Sequence, residues 1–364
     1  MDILNNLFPN IYNALNDFFH GLLRGANLRP DAESFFVSLI MGLIVVVFLV
    51  AISPFLMLSL TWVERKVVAR IQNRLGPNRV GPWGIFQIFA DMIKMLTKED
   101  IVPANADRWV HFLAPVVTMI PITLILAVIP WGRGMAPADL NIGVLYVIAL
   151  SSLGTVGIFM AGWGSNNKFA LIGGMRAVAQ IISYEVPQVL AIVAIVLLAG
   201  SLSLVDIVKL QGGWAGFRWF LFAIPVGPIA FVVYMISAIA EVNRTPFDLP
   251  EGESEIVAGH HTEYSGMKWG LFYMAEYLNL FVVCAIAATL FLGGWQGPLL
   301  PPWIWFFVKT LLLILIAMWV RGTFPRIRMD QLMKFAWQVL VPVALVNIVL
   351  TGLALPIFKA IGLI

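Results

Sequence analysis

The sequence predicts an all-α polytopic membrane protein with about eight transmembrane helices, long inner loops and an amphipathic interfacial helix. Three observations predict it. Hydrophobic residues make up 60% of the 364 positions and charged residues only 12%, a balance foreign to soluble domains of this size. Eight runs (35–63, 109–130, 140–163, 177–199, 219–240, 269–292, 303–320 and 335–358) reach the roughly 20 apolar residues that a crossing needs. Only Glu185, Glu276 and Lys309 carry formal charge inside them. Lipid offers the backbone no hydrogen-bond partners, so each run must be a helix.

Taken in order, residues 1–33 form an N-terminal extension, either an interfacial amphipathic helix or a tail. No basic stretch followed by a short apolar core opens the chain, so no cleavable signal peptide is expected. Residues 34–358 read as one transmembrane domain and 359–364 as a C-terminal tail. The even-numbered gaps hold few cations, whereas the connections 64–108, 164–176, 241–268 and 321–334 hold 16 of the 23 Lys and Arg. Cations collect on the inner side, so these four loops are expected to be cytoplasmic and both termini periplasmic, in a cell (inner) membrane.

The loop 64–108 carries Arg65, Lys66, Arg70, Arg74 and Arg79 in its first half, where GPNRVGP forces turns. In the following WGIFQIFADMIKML, Ile85, Phe89, Met92 and Leu96 recur at helical spacing among polar residues, which reads as a helix lying in the interface plane. Binding of anionic lipid and docking of a soluble partner both fit this composition. The connection 164–176 reads simply as a Gly-rich basic loop with Lys168 and Arg176.

Residues 241–268 break the apolar pattern most sharply. Glu241, Asp248, Glu251, Glu253, Glu255 and Glu263 stand against Arg244 and Lys268, so six of the chain's 20 acids fall in one connection. Pro246 and Pro250 forbid a continuous helix there, and interspersed apolar groups such as Phe247 suit packing against a surface. Glu64, Glu185, Glu241 and Glu276 come from four different spans and converge on the inner half of the membrane. Placing Glu185 eight residues into its span sets it about 12 Å deep. A charge at that depth needs a partner, a proton or water, which favours a shared polar cavity or proton path over local packing. Lys309 reads as a structural residue snorkelling outward, and His111 as a satisfied histidine without metal-ligand companions.

The single cysteine, Cys284, excludes a disulfide framework, a thiolate zinc site and an iron–sulfur cluster held by this chain alone. Neither a dinucleotide fingerprint nor a P-loop is present. Metal ligands and nucleic-acid binding find no support.

The stretches ERKVVARIQNRLGPNRVGPWGIFQIFADMIKML, GGMRAVAQIISYEVP, EVNRTPFDLPEGESEIVAGHHTEYSGMKWGLFYMAEY and WVRGTFPRIRMDQLMKFAW resemble the H-subunit family of bacterial NADH:quinone oxidoreductase, respiratory complex I, called subunit 1 in mitochondria. The likeness covers about residues 35–358. It implies a membrane subunit of a proton-translocating oxidoreductase, not catalytic alone, that forms the quinone-access chamber where the peripheral arm meets the membrane arm. By motif position, Glu241, Arg244, Phe247, Asp248, Glu251, Glu253 and Glu255 would form the quinone chamber and coupling loop. Arg65, Arg74 and Arg79 would brace its other side. Glu64, Glu185, Glu241 and Glu276 would form the proton path. The resemblance further implies quinone as substrate, FMN and iron–sulfur clusters in partner subunits, and peripheral-arm, small membrane and antiporter-like subunits, with lipids, as partners. His260 departs from it, standing where an aromatic or similarly bulky residue is expected. A membrane subunit of a hydrogenase- or ferredoxin-type energy-converting complex is the alternative; a stand-alone transporter would show paired repeats, and none is visible.

Overall fold

A computed structural model describes residues 7–24, 30–212, 218–250, 252 and 256–360. Its helices are α1 (Leu7–Arg24), α2 (Pro30–Ile71), α3 (Gln87–Thr97), α4 (Arg108–Leu126), α5 (Gly143–Gly164) and α6 (Lys168–Ala199). They continue with α7 (Leu204–Leu210), α8 (Val226–Glu241), α9 (Gly266–Phe291), α10 (Pro302–Thr323) and α11 (Met329–Phe335), the last joined through a π turn, Ala336–Leu340, to α12 (Val341–Ala360). Among the described residues, seven helices are long and apolar enough to cross a membrane, and α8 is a shorter apolar one. The chain is an all-α polytopic membrane protein.

Helix α9 forms the centre. It packs against α2, α4, α8 and α10 and is buried along almost its whole length. Ala285, Ala287 and Ala288 let neighbouring helices approach its backbone closely, as small residues do in membrane bundles. Helix α2 is more hydrophobic than α9 yet mostly exposed, with Leu43, Val46, Val47, Phe48 and Val50 on its surface. In a bilayer the greasiest helix belongs outside, because lipid solvates such side chains as well as a protein core does.

Several boundaries differ from the sequence reading, each for a local reason. Helix α2 continues through Glu64–Ile71, because VERKVVARI contains no breaker before Gly76 and Pro77. Residues 168–176 are helix rather than loop: Asn167 caps α6, its Oδ1 accepting from the amide of Phe169 at 2.9 Å. Gly173 and Gly174 are therefore contact surfaces, not turn formers. A Cβ on Gly173 would lie 2.5 Å from the Cα of Gly259, and one on Gly162 would lie 3.3 Å from the Cα of Gly174. Consequently Glu185 sits near the middle of a 32-residue helix, not eight residues from an end, and α6 runs unbroken through Pro187. The fifth apolar run yields only the 16 residues of α8, preceded by the 3-10 turn Phe220–Phe222, since Pro225 delays helix entry.

The N-terminal extension includes the helix α1, which packs on α2. Helix α3 occupies the expected amphipathic segment, with no residue buried.

Candidate functional site

The site is built where the end of α8 turns into the acidic loop. Glu241 closes α8, and Asn243 takes the left-handed conformation (φ 54°), which asparagine tolerates better than most residues. That turn aims Arg244 back into the protein. The buried Gln180 of α6 fastens it, its Nε2 donating to the carbonyls of Ala240 and Phe247, each at 2.8 Å, and to Asn243 Oδ1 at 3.1 Å. Phe247 is buried against the Tyr184 ring at 5.5 Å, and the Tyr184 hydroxyl donates to the carbonyl of Leu332. Asp248 meets Arg326 at 3.3 Å. The loop is thus clamped between α6 and the segment entering α11.

Arg244 is 4% exposed and joins two spans. Its Nη1 donates to both oxygens of Glu64 at 2.7 and 2.8 Å, and its Nε lies 2.7 Å from Glu276 Oε1. The guanidinium also stands 4.2 Å from the centre of the Tyr277 ring. Burial opposes its charge, but the carboxylates of Glu276 and Glu64 outweigh burial and hold it protonated. Arg321, from the end of α10, pairs with Glu64 as well. Two arginines and two carboxylates form a closed cluster, the arrangement buried charges require.

Beside this cluster lies a cavity of about 70 Å³, faced by Glu241, Glu276, Thr155, Asn279, His260 and His261. Its wall is mostly apolar, with Ile122, Ile158, Ile181 and Phe272 around these polar groups, and its volume has room for water beside the polar ones. A smaller one of about 20 Å³ adjoins it and is faced by Glu241, Asn279, Glu185 and Gln188. Glu241 and Asn279 stand on both cavities, so Glu276, Glu241 and Glu185 follow one another along a polar seam between α5, α6, α8 and α9.

The four acids picked out by sequence are therefore brought together in two ways. Glu276, Glu241 and Glu185 share the seam, whereas Glu64 is enclosed by Arg244 and Arg321 and lines neither cavity. Arg65, Arg74 and Arg79 are exposed; Arg65 pairs with Asp91 of α3 at 2.6 Å and Arg74 Nε donates to Gln72. Glu251, Glu253 and Glu255 lie outside the described residues. Past them, Val257 is held at φ 65°, a strained conformation for a β-branched residue.

Lys309 does not snorkel. It is 4% exposed, and its Nζ donates to the carbonyls of Leu292 (2.6 Å), Gly294 (3.0 Å) and Gln296 (2.6 Å), closing the end of α9. Its structural assignment stands, by a different contact. His111 is buried, stacked on Tyr264 at 4.1 Å with Nε2 near the Glu263 carbonyl. Sequence alone does not single out Arg321, Gln180, Asn279 or the histidine pair as site residues. Only Arg321 carries a usable signal there, as a cation just past the seventh span.

Comparison with known proteins shows the family. Residues 43–352 match the family described as NADH dehydrogenase. The NADH-quinone oxidoreductase H-subunit of Dehalococcoides mccartyi (strain CBDB1) is 51% identical over 320 residues, covering 88% of each chain. An H-subunit of the same oxidoreductase from Geobacter sulfurreducens is 52% identical over 302 residues, 80% of this chain and 90% of its own. That of Carboxydothermus hydrogenoformans is 46% identical over 353 residues, 95% of this chain and 99% of its own. The chain belongs to the NADH dehydrogenase family, among relatives named as H-subunits of NADH-quinone oxidoreductase.

Proposed function

We propose that the chain is the membrane subunit of a proton-pumping NADH:quinone oxidoreductase, where it walls the quinone chamber against the peripheral arm and passes quinone reduction on to proton movement through buried carboxylates. Its inner segments 64–108, 164–176, 241–268 and 321–334 face the cytoplasm, and peripheral-arm and antiporter-like subunits are its partners. The observation that carries this reading is the continuity from the acidic loop, through Arg244, to Glu276, Glu241 and Glu185 along the polar seam.

Reducing a quinone to a quinol consumes two electrons and two protons. A chamber sealed from bulk water must receive those protons by relay, and the chain offers carboxylates spaced by water-sized cavities. Arg244 couples the two halves of the process. It stands three positions after Glu241 at the root of the acidic loop and grips Glu276 of α9. A shift of the loop on quinone reduction withdraws Arg244 and strips a buried carboxylate of its counter-charge, and such a carboxylate takes up a proton. Apolar helix walls suit the isoprenoid tail of a quinone; electrons arrive from iron–sulfur and FMN groups held by partners.

A photoreactive quinone analogue applied to native membranes tests this reading. Labelled peptides from 64–108 or 241–268, competed by excess quinone, are the expected result. Labelling confined to other subunits contradicts it.

A further inference from the structure

The larger cavity has a side that the carboxylate seam does not use. The turn Gly259–His261 places His260, 4% exposed, and His261 against it, with their ring centres 3.8 Å apart. Phe272 meets both rings edge-on, at 5.7 and 5.1 Å, and fixes their orientation. The turn is seated backbone-to-backbone on α6, where Gly173 and Gly259 leave no room for a side chain. Two imidazoles thus line the same cavity as Glu241 and Glu276.

We propose that His260 and His261 form a proton-loading pair, together holding one exchangeable proton and delivering it through cavity water to Glu241. The proposal rests on the carboxylate relay described above and adds its loop-side donor. The step is a proton transfer alone: an imidazolium N–H bond breaks, a water carries the proton, and an O–H bond forms on the Glu241 carboxylate. Imidazole suits it because its ordinary titration falls between about pH 5 and 8. Two rings with centres 3.8 Å apart do not both hold a charge readily, since like charges disfavour each other.

Among the described residues, Glu241 and Glu276 are the only acids that line the same cavity as the pair. On its own loop, Glu263 accepts from Asn167 Nδ2 at 2.6 Å, and Tyr264 stacks on His111. Helix α6 carries Lys168, Arg176 and Glu185, none of which lines this cavity; α5 contributes only neutral groups, among them Thr155.

The test is the pH profile of NADH-driven quinone reduction in native membranes carrying the whole complex. Variants are His260→Tyr, which keeps a ring against Phe272, and His260→Gln, which keeps a polar group. The unaltered protein is expected to slow as pH rises from 6 to 8. In both variants that limb flattens, with the pH 6 rate falling roughly threefold while the pH 8 rate changes little. A purely structural role predicts a uniform loss across pH and overturns the proposal, as does an unchanged profile. Glu241→Gln, measured in parallel, separates the two readings. If it abolishes pumping while both histidine variants keep the limb, the pair is not the donor and the relay stands. If it changes nothing, the relay itself fails.

Discussion

Arg244 shows how one buried side chain can hold two membrane helices in register. Its partners Glu64 and Glu276 come from α2 and α9, and Arg321 of α10 completes the charge balance. Replacing Arg244 with Met strands buried carboxylates, and removing one partner of such a cluster costs about 3–5 kcal/mol. The expected outcome is a sharp fall in the amount of chain retained in membranes, partly restored by adding Glu276→Gln. Arg244→Lys is expected to recover little, since an ammonium cannot grip both Glu64 oxygens while facing Glu276. Lys309→Met gives a second residue-scale prediction. It leaves three carbonyls beyond α9 without their donor, a loss of about 1–3 kcal/mol measurable as a lower unfolding temperature in detergent. Sequence reveals that Arg244 and the membrane acids need partners, because isolated charges at depth are too unfavourable to persist. It does not reveal which carboxylate meets which arginine, because Glu64 and Arg244 are 180 positions apart.

At the scale of elements, small residues decide the contacts. Gly173 reads as a turn former in a basic loop, but it forms the seat for the histidine turn on α6. Gly173→Ala forces a backbone contact apart and is expected to cost about 1–3 kcal/mol. Because the seat positions His260 and His261, it should also flatten the pH limb as the histidine variants do. A stability loss with an intact limb would show that the turn holds its place by other contacts. Helical periodicity makes α3 legible, and hydropathy locates the long spans. The start of α6 escapes both, because its first turns are neither long enough nor apolar enough to stand out; its Asn167 cap is the available signal. The shortness of α8 follows from Pro225, which is equally visible but sits inside an apolar run.

Across the whole molecule, burial and hydropathy part company: the central helix α9 is less apolar than the exposed α2. That inversion leaves room at the centre for Glu276, Asn279 and the polar seam, while the outer helices satisfy the bilayer. The membrane class and the family are legible in the sequence, since composition and long motifs are properties of the chain itself. The seam is not, because it is made of short polar contacts contributed by α5, α6, α8 and α9 together. The central claim is that Glu241, standing on both cavities, carries protons between quinone reduction and the far end of the seam. The most direct test is to measure protons translocated per NADH oxidised in inverted membrane vesicles bearing Glu241→Gln. Glutamine preserves size and polarity but cannot take up a proton. The predicted result is a clearly lowered ratio of protons to NADH, in a complex that still assembles, because proton transfer through the seam slows by roughly 100-fold, the low end for loss of a proton-transfer group. Full turnover with an unchanged ratio of protons to NADH would contradict the account.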